Sequence, residues 1–310
     1  MKIVFMGTPD FSVPCLEALI EAGHDVALVV TQADKPKGRG HKLTPPPVKE
    51  CAILHNIPVF QPDKMKDDAS FERLQAVGAD LFVVVAYGKI LPERVLNLPK
   101  YGCINVHASL LPKYRGAAPI QWSIIGGDKK TGVTTMQMDV GLDTGDMLLK
   151  KEVDIEDTDT GETLHDKLSL IGKEVLIKTI TALEEGRLSP QKQDDSLSCY
   201  APMIDKTTAK IDFSTSADEI CRLVRAMNSY PYAYALYDGK LMKIIEAVPV
   251  KVKNGTAIPG EIVSVNESAF TVKCGIDAIE VTHIQVEGKK KMAVSEYVKG
   301  NTITCGTILQ

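Results

Sequence analysis

Hydrophobic runs are short throughout this chain of 310 residues. None approaches the ~20 residues that a bilayer-crossing helix requires, so the chain is not expected to span a membrane. The amino terminus enters a strand-like run at once, with Lys2, Ile3, Val4, Phe5 and Met6, which points to a cytoplasmic protein. Paired cysteine motifs are missing as well. The seven cysteines, at 15, 51, 103, 199, 221, 274 and 305, are odd in number, scattered, and form no Cys-x-x-Cys, which favours reduced, buried thiols over a disulfide framework or a zinc site. Nor is there an excess of positive charge: the net charge is -4. From residue 209 onward there are 12 basic and 11 acidic residues, leaving 24 against 29 before it. Any contact with nucleic acid must therefore come from local basic patches. Internal repeats and low-complexity tracts are also absent.

What is present is an ordinary globular composition, 44% hydrophobic and 25% charged, in a chain long enough for two cores. Residues 2–6 end in Gly7, and Thr8 can cap a helix with Pro9 at its first position and Gly23 at its end. A second buried-type strand follows over 25–31. Helices are expected near 48–56 and 69–78, with strands at 58–60, 81–86 and 103–107. Continuous β-branched runs such as Leu81, Phe82, Val83, Val84 and Val85 imply burial on both faces, as in a parallel, doubly wound sheet. A helix around 119–125, strands over 132–139 and 147–155, and a long helix over 160–185 complete a first domain, residues 1–188. Residues 189–208 are polar, hold Pro190 and Pro202, and read as a linker. Residues 209–310 carry one helix near 217–227 and several short strands, the pattern of a small β-barrel of oligonucleotide-binding type. The expected fold is thus α/β, a parallel-sheet domain followed by a smaller OB-like barrel.

The chemistry-bearing stretch is Asn105, Val106, His107, Ala108, Ser109, Leu110, Leu111, Pro112, with Asp143 in a glycine-flanked turn downstream. A strand over 102–107 places Asn105 and His107 on one face and Val106 on the other. The residues after it then leave the strand's carboxyl end, where open α/β sheets place ligands. An amide, an imidazole and a carboxylate, with no nucleophile or metal cluster beside them, suit acyl transfer between two bound substrates. Asn105 can donate to an oxygen that becomes negative in a tetrahedral intermediate, and His107 can stabilise that oxygen or carry a proton. Asp143 can orient the imidazole or relay the proton of an attacking amine. The turn from Asp139 to Asp146 has two competing readings. One is a metal loop, though it lacks the ligand spacing and terminal glutamate of a calcium site; the other is a plain hairpin whose glycines supply positive φ.

The first βα turn, Gly7, Thr8, Pro9, Asp10, Phe11, is not Gly-x-Gly-x-x-Gly, which weakens a nicotinamide reading. Its helix amino terminus still suits an anionic or polar group. Residues 34–49 hold five basic residues and one acidic one among two glycines and four prolines. That is longer than the usual ~2 to 6 residues of a βα loop. A solvated charged loop is one reading, and a reach by Arg39 toward a phosphate backbone is the other.

Together, Asn105, Val106 and His107 with Ser109 to Pro112, then Arg115, Gly116, Ala117, Ala118 and Pro119, then the turn around Asp143, resemble the signature of formyltransferases that use 10-formyltetrahydrofolate. Gly7 to Phe11 and the basic loop make the chain most similar to the branch whose acceptor is methionyl initiator tRNA. The resemblance runs over essentially the whole chain, with Ala108 standing where glycine is expected and Asn228, Ser229, Tyr230, Pro231 replacing Asn-Pro-Trp-Pro. It implies a Rossmann-like first domain, a barrel that helps hold the tRNA, and catalysis by Asn105, His107 and Asp143 without metal. It further implies a folate pocket lined by Ser109, Leu110, Leu111, Pro112 and the 83–91 segment, including Val84, Tyr87 and Ile90. The basic loop, with Lys37, Arg39 and Lys42, would meet the tRNA acceptor end, and Lys289, Lys290 and Lys291 are either phosphate contacts or plain solvated lysines. A monomer is expected. Formylation of an amino sugar nucleotide and hydrolysis of formylfolate remain rival activities. A non-catalytic RNA-binding protein on the same fold would leave Asn105, His107 and Asp143 apart.

Overall fold

A computed structural model describes residues 1–37, 42–252 and 255–310. The chain divides into two compact units. The first gathers Met1–Pro119, Lys130–Asp154 and His165–Pro202, and the second Ile120–Lys129, Ile155–Leu164 and Met203–Gln310.

The first unit is built on a sheet of seven strands among the described residues: β1 (Lys2–Gly7), β2 (Asp25–Val30), β3 (Val59–Phe60), β4 (Leu81–Val85), β5 (Cys103–His107), β6 (Lys130–Gln137) and β7 (Met147–Asp154). Their order across the sheet is β7-β6-β5-β4-β1-β2-β3. Neighbours from β5 to β3 pair in parallel, whereas β6 runs antiparallel to both β5 and β7, so the sheet is mixed rather than purely parallel. The apolar runs of β1 and β4 are buried along their whole length because side chains of both parities pack. Val4, Met6, Leu28, Val30, Phe82 and Val84 share one core with Leu74, Val95 and Leu96. On β5, Val106 lies 3.3 Å from where a Cβ on Gly172 would stand, so this parity faces the long helix Gly161–Glu184.

The first helix begins later than the sequence suggests. Pro9 caps a 3-10 turn, Asp10–Ser12, and the α-helix proper is Val13–Glu21. Thr8 does not cap it: its hydroxyl donates to Tyr87 O (3.0 Å) and accepts from Gln32 N (3.3 Å). A tertiary pair of partners has displaced the local one. Lys35–Lys37 pairs antiparallel with Lys42–Thr44 as a two-stranded ribbon. Arg39 lies outside the described residues, and Lys37 and Lys42 are described in backbone only.

The second unit carries the helix Ala217–Ala226. That helix opens with a capping box, Ser216 with Glu219, which satisfies two otherwise orphaned backbone donors. It packs on a curled antiparallel sheet of β8 (Tyr234–Tyr237), β9 (Lys240–Val250), β10 (Ile262–Val265), β11 (Phe270–Lys273) and β12 (Ala278–Val286), in the order β8-β9-β12-β11-β10, with the short strand Met292–Ala293 also paired to β12. Ile220 and Val224 meet Ile244, Phe270 and Ile284 in one core. This is the α/β, Rossmann-like domain followed by a smaller barrel-like domain.

Five cysteines, Cys15, Cys51, Cys103, Cys221 and Cys274, are buried and free, while Cys199 and Cys305 are exposed and free. Burial pushes the Cys15, Cys103 and Cys221 thiols up to about 12, which leaves them protonated and unreactive at neutral pH. No helix among the described residues is long and apolar enough to cross a membrane.

Candidate active site

Strand β5 delivers Asn105 and His107 to the same face, as its period of two requires. The β6–β7 turn leaves the sheet at the level of Cys103, with Met138 N donating to Cys103 O (2.8 Å), and folds back over that face. Asp143 then stands beside both residues. Asn105 Nδ2 donates to Asp143 Oδ1 at 3.4 Å, and His107 Nδ1 lies 3.7 Å from Asp143 Oδ2. Gly116 N also donates to Asp143 Oδ2, at 2.8 Å. These side chains are well shielded: the imidazole is 6% exposed and the Asp143 carboxylate 13%.

His107 Nε2 lies 2.9 Å from Tyr114 O. A carbonyl oxygen only accepts, so Nε2 carries a proton and Nδ1 is the nitrogen left to face Asp143 and a substrate.

The turn does not follow the expectation that glycine supplies positive φ. Gly141 and Gly145 lie elsewhere in φ, and the left-handed residue is Asp143 itself, at φ 54. The two glycines are required by close approach: a Cβ on Gly145 would stand 1.7 Å from Gln137 O, and one on Gly141 1.9 Å from Thr144 Oγ1. Aspartate tolerates the left-handed region better than most residues, and strain of this kind persists only where surroundings impose it. Here Gln193 Nε2 donates to both Asp143 O and Gly145 O, at 2.8 Å.

Ser109 is fully buried; its hydroxyl donates to Lys113 O (2.6 Å) and its carbonyl accepts from Thr134 Oγ1 (2.7 Å). Leu111 is buried as well, with its amide on Thr134 Oγ1 (3.1 Å), ahead of a cis Leu111–Pro112 peptide, while Leu110 is half-buried. Val84 is the register partner of Asn105, which sets the segment leaving β4 beside the site. Val84 and Tyr87 are core residues, whereas Ile90 is 87% exposed, so these three are not brought onto one surface. The Tyr87 hydroxyl is buried with no hydrogen-bond partner among the described residues, and burial pushes it up to about 12.

No cluster of three or more metal-ligating side chains occurs among the described residues. In the 139–146 turn, Asp139 is occupied by Gly141 N (3.0 Å) and Thr144 Oγ1 (2.7 Å) instead. Gln193 and Arg115 also belong to the site's support and are not marked as such in the sequence: Arg115 stands there only as part of a motif, and nothing in the local pattern at Gln193 signals a tertiary contact.

An α/β sheet that presents an amide and an imidazole on one strand face, with a carboxylate folded over them from a neighbouring turn, makes a site suited to group transfer between two bound substrates. Residues 1–180 match the family model "Formyl transferase" and residues 203–302 match "Formyl transferase, C-terminal domain". The chain belongs to the formyl transferase family, and within it to the methionyl-tRNA formyltransferases. It is 51% identical over 311 residues to the methionyl-tRNA formyltransferase of Caldanaerobacter subterraneus subsp. tengcongensis, covering 100% of both chains. It is 50% identical over 309 residues to that of Clostridioides difficile, again covering 100% of both. Among solved structures, the N-formyltransferase from Helicobacter canadensis in complex with folinic acid and dTDP-3-aminofucose has the same fold, at a TM-score of 0.70 and 20% identity, over 94% of this chain and 100% of that one. HypX from Aquifex aeolicus in complex with tetrahydrofolic acid aligns at a TM-score of 0.66 and 18% identity; 97% of this chain covers 47% of HypX.

Proposed function

We infer that this enzyme transfers the formyl group of 10-formyltetrahydrofolate to the α-amine of methionyl initiator tRNA, acting in the cytoplasm as a monomer. The observation that carries the reading is the convergence of Asn105 and His107 on the shielded Asp143 carboxylate, in a chain about half identical over its full length to methionyl-tRNA formyltransferases. The neutral amine attacks the formyl carbon, and the carbonyl electrons move to oxygen. Asn105 donates its second amide N–H to that oxyanion, a contribution on the order of 10² to 10³ in rate. His107, whose Nε2–H is held by Tyr114 O, turns Nδ1 toward the reacting atoms beside Asp143, where it can carry the proton shed by the attacking amine. Asp143 supports His107 and shares in removing that proton. The proton passes to N10 of the folate as the bond from carbon to N10 breaks, so the products are a formamide and a neutral secondary amine. No step calls on a metal ion.

Ser109, Leu110, Leu111 and Pro112 frame the donor site on one side, and Val84, Tyr87 and Ile90 belong to the segment on the other. A polar group of the donor supplies the partner that the Tyr87 hydroxyl lacks. Lys37, Arg39 and Lys42 meet the tRNA acceptor end, and Arg39→Ala is expected to raise the tRNA KM and reduce its salt dependence by about one phosphate contact. The second unit helps hold the tRNA, with Lys289, Lys290 and Lys291 as phosphate contacts.

The deciding assay offers the purified protein 10-formyltetrahydrofolate with charged initiator tRNA, free methionine or an amino sugar nucleotide. Charged tRNA should be formylated in the presence of chelator, with free methionine a very poor acceptor, because remote contacts position the amine. Efficient formylation of the sugar nucleotide in place of tRNA would overturn the acceptor.

A further inference from the structure

Residues 191–201 fall between the two regions that match family models, yet they belong to the first unit. They are tied to the site's supporting backbone at three levels. Gln191 and Met147 exchange backbone hydrogen bonds of 2.8 Å in both directions, next to the end of the catalytic turn. Gln193 then uses its whole side-chain amide: Nε2 donates to Asp143 O and Gly145 O, both at 2.8 Å, and Oε1 accepts from Arg115 Nε at 3.0 Å. Asp195 Oδ1 holds the other end of that guanidinium, 2.7 Å from Nη2. Finally Tyr200–Ala201 pairs in parallel with Arg115–Gly116. Arg115 N donates to Cys199 O and Ala117 N to Ala201 O, both at 2.9 Å.

What these contacts fix is the conformation on which the catalytic side chains depend. Tyr114 and Gly116 are left-handed, at φ 59 and 118, and Asp143 at φ 54. A tyrosine rarely adopts that conformation without support, and an aspartate does so more readily but still at a cost. The supported atoms are the very partners of the trio: Tyr114 O on His107 Nε2 and Gly116 N on Asp143 Oδ2.

We propose that residues 191–201 form a positioning strap for catalysis, with Gln193 as the residue that sets the Asp143 carboxylate against Asn105 and His107. Gln193 touches no reacting atom. It acts through the backbone on either side of Asp143, and through Arg115 it joins the two loops that hold the imidazole and the carboxylate. The proposal rests on the catalytic reading of Asp143 given above.

The test compares Gln193→Ala with Gln193→Glu, an isosteric change that removes both N–H donors and faces two carbonyl oxygens with a carboxylate. Thermal melts confirm that each variant is folded. In both, kcat should fall about tenfold to a hundredfold while the KM values for donor and acceptor stay within about threefold, since misplacement by ~1 Å is felt in the transition state. In an Asp143→Ala background the Gln193→Ala change should cost nothing further, because the group it positions is gone. A purely structural strap would add its cost in both backgrounds and raise the KM values. Substrate-free hydrogen exchange gives an independent reading: the Gly116 amide should exchange at least about ten times faster in Gln193→Ala, with the β4 amides unchanged. If Asp143→Ala turns over normally, the catalytic reading of Asp143 fails and the exchange result alone decides the strap. If Asp143→Ala is impaired while Gln193→Ala is not, or if Gly116 exchange is unaltered, the strap is overturned.

Discussion

At the scale of single residues, the site depends on groups whose partners are already chosen before any substrate arrives. Asn105→Ala, His107→Ala and Asp143→Ala should each lower kcat by ~10² or more and leave donor affinity within a small factor, since each acts on the transition state. The His107 and Asp143 losses should be less than multiplicative; strict additivity in a double-mutant cycle would show that they do not work together. Tyr87→Phe separates two uses of an unpartnered hydroxyl. Removing it should stabilise the free protein, by up to ~1 to 3 kcal/mol if the full desolvation cost is relieved. The same change should raise the KM for the folate if the donor hydrogen-bonds there, and an unaltered KM would take Tyr87 out of the donor site. The pairing of Asn105 with His107 was legible from the period of a strand. Asp143 was legible only as a carboxylate near glycines. Its reach depends on a turn that folds back over the sheet, and the carbonyl of this left-handed residue accepts from Gln193, fifty positions on. Nothing local encodes that.

Among the elements, buried strands announce themselves through apolar runs, and β1, β2, β4 and β5 were expected where they stand. The antiparallel course of β6 was not, because direction within a sheet leaves no mark on a strand's own composition. The strap reads as linker for a related reason: its partners are backbone groups and a side-chain amide, which produce no hydrophobic period. The base of the basic ribbon shows how polar residues can hold an element. Lys49 Nζ lies 2.8 and 2.9 Å from the two oxygens of Asp34 and 2.8 Å from Gln61 Oε1, and Gln61 Nε2 donates to Asp34 Oδ1 at 2.9 Å. The hydrogen bond from Lys49, then that from Gln61, holds the Asp34 carboxyl below its usual 3.8. A depressed carboxyl contributes stability above its unfolded pKa, and the contribution is lost as pH falls through the folded value. Wild type should therefore melt higher than Asp34→Asn at neutral pH, with the gap closing as pH drops below 3.8. A gap that persists at lower pH would mean that the ionised pair is not its source.

For the molecule as a whole, the second unit is assembled from separated stretches of chain. Arg222 Nε donates to Ile125 O (3.1 Å) and Arg225 Nη1 to Asp159 O (2.6 Å), and Ile125 packs against the barrel core. Gly161 sits where a Cβ would stand 2.4 Å from Ala226 O. A fragment beginning at Met203 lacks all three of these partners. It should melt at a lower temperature than the same sheet does within the whole chain, as read by hydrogen exchange of the β11 and β12 amides, and equal protection would show that the earlier stretches are dispensable. The same assembly bears on synthesis. A ribosome that has released residues up to Pro202 has delivered every stretch of the first unit, which can fold at once, because domains generally form as units from the amino terminus. Ile120–Lys129 and Ile155–Leu164 have by then emerged without their core. They must wait for Met203–Gln310, so the nascent chain passes through an interval with apolar residues such as Ile125 uncovered, and it is in that interval, not in the finished enzyme, that chaperone capture has most to act on.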